Sequence, residues 1–316
     1  MDPKSGKILA LASLPDFDPN EFFKEKDYQT FINPLVESMY EVGSVMKPII
    51  FASALNEGAI KPETTYNDQG TVSISGYNIN NADGKSNQIQ TMTQVLEKSL
   101  NTGAVFVSRL LGREKQLEYL KRFGFGSKIG IDLPGEVSGN ISNLSHGREI
   151  DYATASFGQG IAVTPIQLAS AIGAIANRGQ LMRPYIVEKI IDNAGNETVY
   201  SPKPLNEVIS KDTAETLTKM LVSVVRNGYD NRAGVKGYFV AGKTGTAQIP
   251  EKNKRGYTDE VIHSFAGYAP AFDPKFLVLM QLIKPQARFA VGTLPPYFKE
   301  LANFILNYYE VPPDEK

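Results

Sequence analysis

The chain has 316 residues, 42% of them hydrophobic and 21% charged, with 27 glycines and 19 prolines. This balance excludes a disordered, collagen-like or coiled-coil polymer and fits one large globular domain or two small ones. Lys and Arg total 33 against 34 for Asp and Glu, a formal net charge of −1. No basic surplus exists to grip a phosphate backbone, so nucleic acid is not expected as a partner. Cysteine is absent and His146 and His263 are the two histidines. That removes disulfides, thiolate metal sites and cysteine nucleophiles, and neither a metal nor a cofactor is expected.

Residues 1–6 lead into Lys7-Ile8-Leu9-Ala10-Leu11-Ala12, which reads as a strand with no signal-peptide pattern ahead of it. A chain that begins on a core strand is expected to be cut from something longer. Residues 58–86 are rich in Gly, Asn, Thr and Ser, and the alternation in Thr71-Val72-Ser73-Ile74-Ser75 predicts turns and small hairpins. Thr91 and Gln94 have capping-box spacing ahead of Val95, Leu96 and Leu100; two more helices are predicted over 104–111 and 113–123. The clearest helix follows Thr164, whose hydroxyl caps, with Pro165 in the first turn, Gln167 completing the box and Gly179 stopping the run. Between those caps the sequence is apolar nearly all round, which predicts burial at the centre of a domain. A helix over 210–225, strands over 238–240, 263–268 and 276–283, and a closing helix over 297–309 complete the pattern. The apolar run 276–283 is far short of the ~20 residues of a membrane span. The order implies an α+β fold: an antiparallel sheet built from both chain ends, flanked by helices, with a mainly helical subdomain.

With cysteine missing and histidine scarce, a nucleophilic enzyme needs a serine or threonine activated by lysine. Gly43-Ser44-Val45-Met46-Lys47 supplies one. If a helix starts at Ser44, positions i and i+3 share a face and Lys47 lies beside the hydroxyl. The helix N-terminus adds N–H donors for an oxyanion. A lysine of ordinary pKa, ~10.4, is a poor base near neutrality, so Lys47 must lose charge through desolvation or a neighbouring cation. The plain alternative is a capping serine and a solvated lysine. Ser99-Leu100-Asn101 falls at a helix junction, where Ser99 could relay a proton and Asn101 could hold a substrate carbonyl and the lysine together; it also reads as a cap. Ser138-Gly139-Asn140 is a rival match in a Gly-rich turn. Gly242-Lys243-Thr244-Gly245-Thr246-Ala247 is the third piece. Lys243 is a cation, Thr244 and Thr246 carry hydroxyls, and the glycines, Gly245 among them, permit close approach of a substrate backbone. The Thr246 and Ser44 N–H groups could form an oxyanion hole. A strand leading into this piece would lay it on a sheet edge open to an extended peptide. A phosphate loop is excluded because the Gly-x-x-x-x-Gly-Lys spacing is missing.

Ser-x-x-Lys, Ser-x-Asn and Lys-Thr-Gly in this order are the signature of penicillin-binding proteins and serine β-lactamases, and the chain resembles the transpeptidase domain of a class B penicillin-binding protein. The likeness covers nearly the whole sequence, including residues 2–20 (DPKSGKILALASLPDFDPN), 123–136 (FGFGSKIGIDLPGE), 156–168 (SFGQGIAVTPIQL), 241–248 (AGKTGTAQ) and 263–270 (HSFAGYAP). These longer blocks separate class B proteins from β-lactamases. The resemblance implies a penicillin-binding-protein fold and D,D-transpeptidase activity. Ser44 would attack the D-Ala-D-Ala bond of a peptidoglycan stem, Lys47 would be the base, and Ser99 would relay a proton to the leaving D-alanine. Asn101 would position substrate, and Lys243, Thr244, Gly245 and Thr246 would bind it at its terminal carboxylate. The implied partners are peptidoglycan stem peptides, β-lactam antibiotics that acylate Ser44, and a membrane glycosyltransferase met through the parent protein.

Many family members have proline before the Gly-Ser of the first motif, where this chain has Val42. The family also carries a membrane anchor and a pedestal domain upstream. Residues 1–316 are therefore expected to be a single transpeptidase domain, itself soluble, from a parent held at the extracytoplasmic face of a bacterial cytoplasmic membrane. Two rivals stand beside this expectation. A serine β-lactamase would use a carboxylate such as Glu136 in Glu136-Val137-Ser138-Gly139-Asn140, and a non-catalytic β-lactam sensor would keep the pocket without turnover.

Overall fold

A computed structural model describes residues 1–315 other than Tyr229, Lys252, Asn253 and Arg255. A single 3-10 turn over Gly43–Met46 runs into helix α1 (Lys47–Asn56), whose second residue, Pro48, needs no hydrogen bond from its nitrogen in the first turn. The turn-rich segment folds as predicted into short strands. β1 (Thr65–Asp68) pairs antiparallel with β4 (Gln88–Thr91), and β2 (Thr71–Ile74) with β3 (Tyr77–Asn80) form a hairpin between them. Helices α2 (Met92–Glu97), α3 (Asn101–Leu111), α4 (Arg113–Arg122) and α5 (Glu149–Ala155) follow. The Thr91 box closes as read: the Gln94 N–H donates to Thr91 Oγ1 at 3.3 Å and the Thr91 N–H to Gln94 Oε1 at 2.9 Å.

Helix α6 (Pro165–Ala176) is the centre of the core, with all of its residues buried. Its Thr164–Gln167 box is complete, and the Gln167 side chain then donates to Ser127 and Ser138 carbonyls at 2.7 and 2.8 Å. A capping side chain thus also ties down two loops. Small pairs β5 (Gln180–Met182) with β8 (Pro204–Glu207) and β6 (Lys189–Ile191) with β7 (Glu197–Val199) lead to α7 (Lys211–Ser223).

The main sheet comes late, in the order β11–β10–β9. β9 (Ala241–Pro250), β10 (Tyr257–Ala269) and β11 (Phe276–Ile283) pair antiparallel, and β9 is an edge strand. The last seven residues of β10 are buried in succession, which requires cover on both faces of the sheet. α6, α7 and the closing helix α8 (Leu294–Tyr308) supply it; the Phe265 and Phe298 rings meet with centroids 4.8 Å apart.

Two sequence expectations are corrected. The strand over 7–12 does not form. Lys7 makes one parallel bridge to Tyr185, and residues 9–12 are exposed because no strand edge faces them. The N-terminus reaches the sheet instead at Met1, which exchanges backbone hydrogen bonds with Leu277 of β11 at 2.8 and 3.0 Å. Residues 238–240 are not a strand either, and the ladder begins at Ala241.

Candidate active site

The nucleophile turn, strand β9 and the loop at 157–160 approach so closely that side chains cannot fit between them. Gly43 has φ +62°, and a Cβ there would lie 2.5 Å from the Thr246 carbonyl oxygen. A Cβ on Gly158 would lie 2.2 Å from the Gly43 oxygen, and one on Gly245 2.5 Å from the Val42 oxygen. The Gly43 N–H donates to the Gly158 carbonyl at 3.1 Å. Glycine at these three points lets three distant segments share one backbone contact. Glu41, just ahead of the turn, accepts from the Gly160 N–H and the Tyr257 hydroxyl, both at 3.0 Å, and fastens the same loop.

Lys47 is fully buried. Its Nζ donates to the Ser99 carbonyl at 2.6 Å, to Asn101 Oδ1 at 2.9 Å and to Ser99 Oγ at 3.3 Å. Lys243 is equally buried and donates to the same Ser99 Oγ at 2.9 Å. Ser99 sits between α2 and α3 with φ +56°, a left-handed conformation that costs a non-glycine residue roughly 1–2 kcal/mol. It turns both the carbonyl and the hydroxyl of one residue toward the lysines. Burial first, and then the charge of Lys243, push Lys47 well below the ordinary lysine range; burial lowers Lys243 to about 7. Two ammonium groups sharing one hydroxyl repel each other, so burial and that repulsion both favour the neutral amine at Lys47.

Ser44 is half-buried. With Ser99, Asn101, Thr244 and Thr246 it lines a cleft of about 790 Å³, and residues 285–291 form part of the wall. Thr246 Oγ1 accepts the Ala290 N–H at 3.0 Å and holds that wall against β9. Lys47 and Lys243 lie beneath the lining, and Gly245 packs on Val42. All eight sequence-predicted site residues (Ser44, Lys47, Ser99, Asn101, Lys243, Thr244, Gly245, Thr246) therefore meet in one place. The rival residues do not. Glu136 is buried with its carboxylate accepting the Ile129 and Gly130 N–H groups at 2.6 and 3.1 Å, and it is not among the cleft-lining residues. Ser138 and Asn140 are likewise outside that lining. His263, opposite Thr246 in the ladder, is buried with Nδ1 3.0 Å from Thr293 Oγ1.

Sequence reasoning gave no role to Gly158, Asn80 or Phe157, although Asn80 and Phe157 line the cleft. The block SFGQG contained two of them, but their role depends on which segment they touch.

The comparisons agree with this geometry. The family model of the penicillin-binding protein transpeptidase domain matches residues 1–302. This chain belongs to that family. Among curated relatives, stage V sporulation protein D of Bacillus subtilis is 38% identical over 92% of this chain and 46% of its own length. The peptidoglycan D,D-transpeptidase FtsI of Escherichia coli K12 is 30% identical over 99% of this chain and 51% of its own. These names place the chain with class B penicillin-binding proteins. Among solved structures, penicillin-binding protein 3 of Mycobacterium tuberculosis complexed with aztreonam superposes with a TM-score of 0.91 at 31% identity, covering 99% of this chain and 72% of that one. Its ampicillin complex also gives 0.91, at 30% identity. The fold is thus the α+β fold of penicillin-binding protein transpeptidase domains. The chain spans about half the length of the curated relatives it matches.

Proposed function

We propose that residues 1–316 act as one transpeptidase domain that cross-links peptidoglycan stem peptides through a serine acyl-enzyme. Ser44 Oγ attacks the carbonyl of a D-Ala-D-Ala bond and yields its proton to the neutral Lys47 amine. The Ser44 and Thr246 N–H groups meet the oxyanion. Ser99 passes a proton to the departing D-alanine nitrogen, and Asn101 orients both Lys47 and the substrate amide. Lys243, in its charged form, binds the terminal carboxylate with Thr244 and Thr246, while Gly245 lets the peptide lie along the β9 edge. The amine of a second stem then attacks the acyl-enzyme carbonyl, which forms the new amide and frees Ser44. No metal or cofactor enters this scheme.

One observation carries the reading: two buried lysines share the Ser99 hydroxyl, and Ser99 lines one cleft with the half-buried Ser44. It is supported by relatives named D,D-transpeptidases and by a neighbour's complexes with aztreonam and ampicillin. β-Lactams are accordingly proposed to acylate Ser44. Because peptidoglycan lies outside the cytoplasmic membrane, the parent is placed at that face, beside a glycosyltransferase that makes the glycan strands. Among the described residues no helix is long and apolar enough to cross a membrane.

The test is intact-mass analysis after exposure to penicillin, with peptide mapping. One adduct on Ser44, absent from Ser44→Ala, is expected; an adduct that persists in Ser44→Ala would overturn the scheme. Nitrocefin should give a stoichiometric burst, whereas sustained hydrolysis would mark a β-lactamase. An intact fold that takes no adduct would mark a sensor.

A further inference from the structure

Asp68, at the end of β1, is a fully buried carboxylate, and no cation stands within ion-pair distance of it among the described residues. Its oxygens are instead filled by neutral donors. Oδ1 accepts from Thr102 Oγ1 at 2.7 Å, from the Gly70 N–H at 3.0 Å and from Asn81 Nδ2 at 3.0 Å. Oδ2 accepts from Asn87 Nδ2 at 2.8 Å, and from the Asn87 N–H and Asn81 Nδ2 at 2.9 Å. A charge buried this way is costly unless every lone pair is used. Its position suggests what that cost maintains.

Two pairs of consecutive residues are clasped above it. The Thr102 N–H donates to Asn81 Oδ1 at 3.2 Å, and Asn101 Nδ2 donates to the Asn80 carbonyl at 3.0 Å. Thr102 lies in the first turn of α3, whose N-cap, Leu100, has no capping side chain. Asn81 therefore supplies the cap from across the fold, and Asp68 holds Asn81 and the Thr102 hydroxyl in place. The Asn80 carbonyl decides which way the Asn101 amide faces. With Nδ2 committed there, Oδ1 must face Lys47, which it does at 2.9 Å. A reversed amide would set an NH₂ group against the lysine, where the one acceptor on Nζ is the amine lone pair that must take the Ser44 proton. The shift of Lys47 comes from burial first and then Lys243; the influence of Asp68 runs through geometry.

We propose that Asp68, through Asn81 and Thr102, is a positioning residue that fixes the Asn101 amide against Lys47 and so sets the rate of Ser44 acylation. This rests on the enzymatic reading above.

The experiment is a double-mutant cycle. Fluorescent-penicillin acylation is measured by stopped flow, well below the melting temperature, for wild type, Asp68→Asn, Asn101→Ala and the double variant. The acylation rate constant is separated from the non-covalent dissociation constant. Asp68→Asn is expected to slow acylation by about 10–100-fold, in line with a displaced catalytic group, while the dissociation constant moves by less than about threefold. In the Asn101→Ala background the same change should cost less than about twofold, because its target is gone. Thr102→Val removes one hydroxyl at constant shape and serves if Asp68→Asn does not fold; it should give the same pattern with a loss of about 3–10-fold. A wild-type rate in these variants, or an equal loss in both backgrounds, would overturn the proposal. A wild-type chain that takes no label at Ser44 would overturn the enzymatic reading and this proposal with it.

Discussion

Two buried polar centres, joined through the neighbouring residues Asn101 and Thr102, respond to burial in opposite ways. At Asp68, burial alone would favour the neutral acid, but hydrogen bonds from Thr102, Asn87, Gly70 and Asn81 overcome it and hold the carboxylate below its usual range. At Lys47, three neutral oxygens stand within hydrogen-bond distance, enough for an ammonium, yet burial first and a second lysine next push it well below the lysine range and favour the neutral amine. The first centre is complete and keeps its charge; the second is arranged to surrender a proton. Burial by itself decides neither outcome. The number and sign of the surrounding groups decide it.

The largest effect should come from Lys47→Met. Acylation of Ser44, followed by mass or fluorescence, is expected to fall by more than about 10⁴-fold, beyond the usual loss for a general base because the proton acceptor and its hydrogen bonds vanish together. The same variant should be more stable than wild type by about 1 kcal/mol in urea at pH 7, since a poorly tolerated buried amine is replaced by an apolar chain. Asp68→Asn should do the reverse and lose about 3 kcal/mol, because an amide presents hydrogens to donors that had a carboxylate between them. Equal signs for the two stability changes would break the comparison.

The pH dependence of stability sharpens it. Between the folded values of the two lysines, about 7 for Lys243 and also well below 10.5 for Lys47, and the unfolded value near 10.5, the unfolded chain binds protons that the folded chain does not. Stability should therefore rise with pH across that window and level off above it. Asp68 acts at the other end: its contribution is present above the ordinary aspartate value and is lost as pH falls through its lower folded value. Urea midpoints from pH 3 to pH 10.5 check both limbs, with Lys47→Met and Lys243→Met flattening the alkaline one. Acylation should decline on the acid side as Lys47 is protonated and on the alkaline side as Lys243 loses its charge.

The smallest effect is expected at a second buried acid. Glu136 braces backbone N–H groups of Ile129 and Gly130 away from the cleft lining. Glu136→Gln should leave the release of bound penicillin within about twofold of wild type, against the large loss expected of a deacylating carboxylate. A release rate that collapses would return the β-lactamase reading.

Much of this was legible in the sequence where the signal is local. The Thr91 and Thr164 boxes and the strand over 276–283, set between Asp273-Pro274 and Pro285, appear where their residues place them, because caps and breakers act within a few positions. Three short motifs in order pointed to the candidate site. The contacts that assemble it were not legible. Gly43 and Gly158 had no reading of their own, and Gly245 read as room for a substrate backbone, until the fold shows that each faces another segment's backbone. Asp68 lay in a segment read as turns and small hairpins, and nothing in Thr65–Asp68 announces that its carboxylate reaches Thr102. The failed strand over 7–12 has the same cause: its apolar residues suit a sheet, but a strand also needs a partner edge, and the ladder here stops at the bridge between Lys7 and Tyr185.

The central claim is that Lys47 is an amine rather than an ammonium when Ser44 reacts. Titration of the protein carrying ¹³C-labelled lysine Cε, with the Lys47 resonance assigned by its loss in Lys47→Met, measures this directly. The account predicts a midpoint well below 10.5 for that resonance. A midpoint at the ordinary lysine value would leave Ser44 without a base and contradict it.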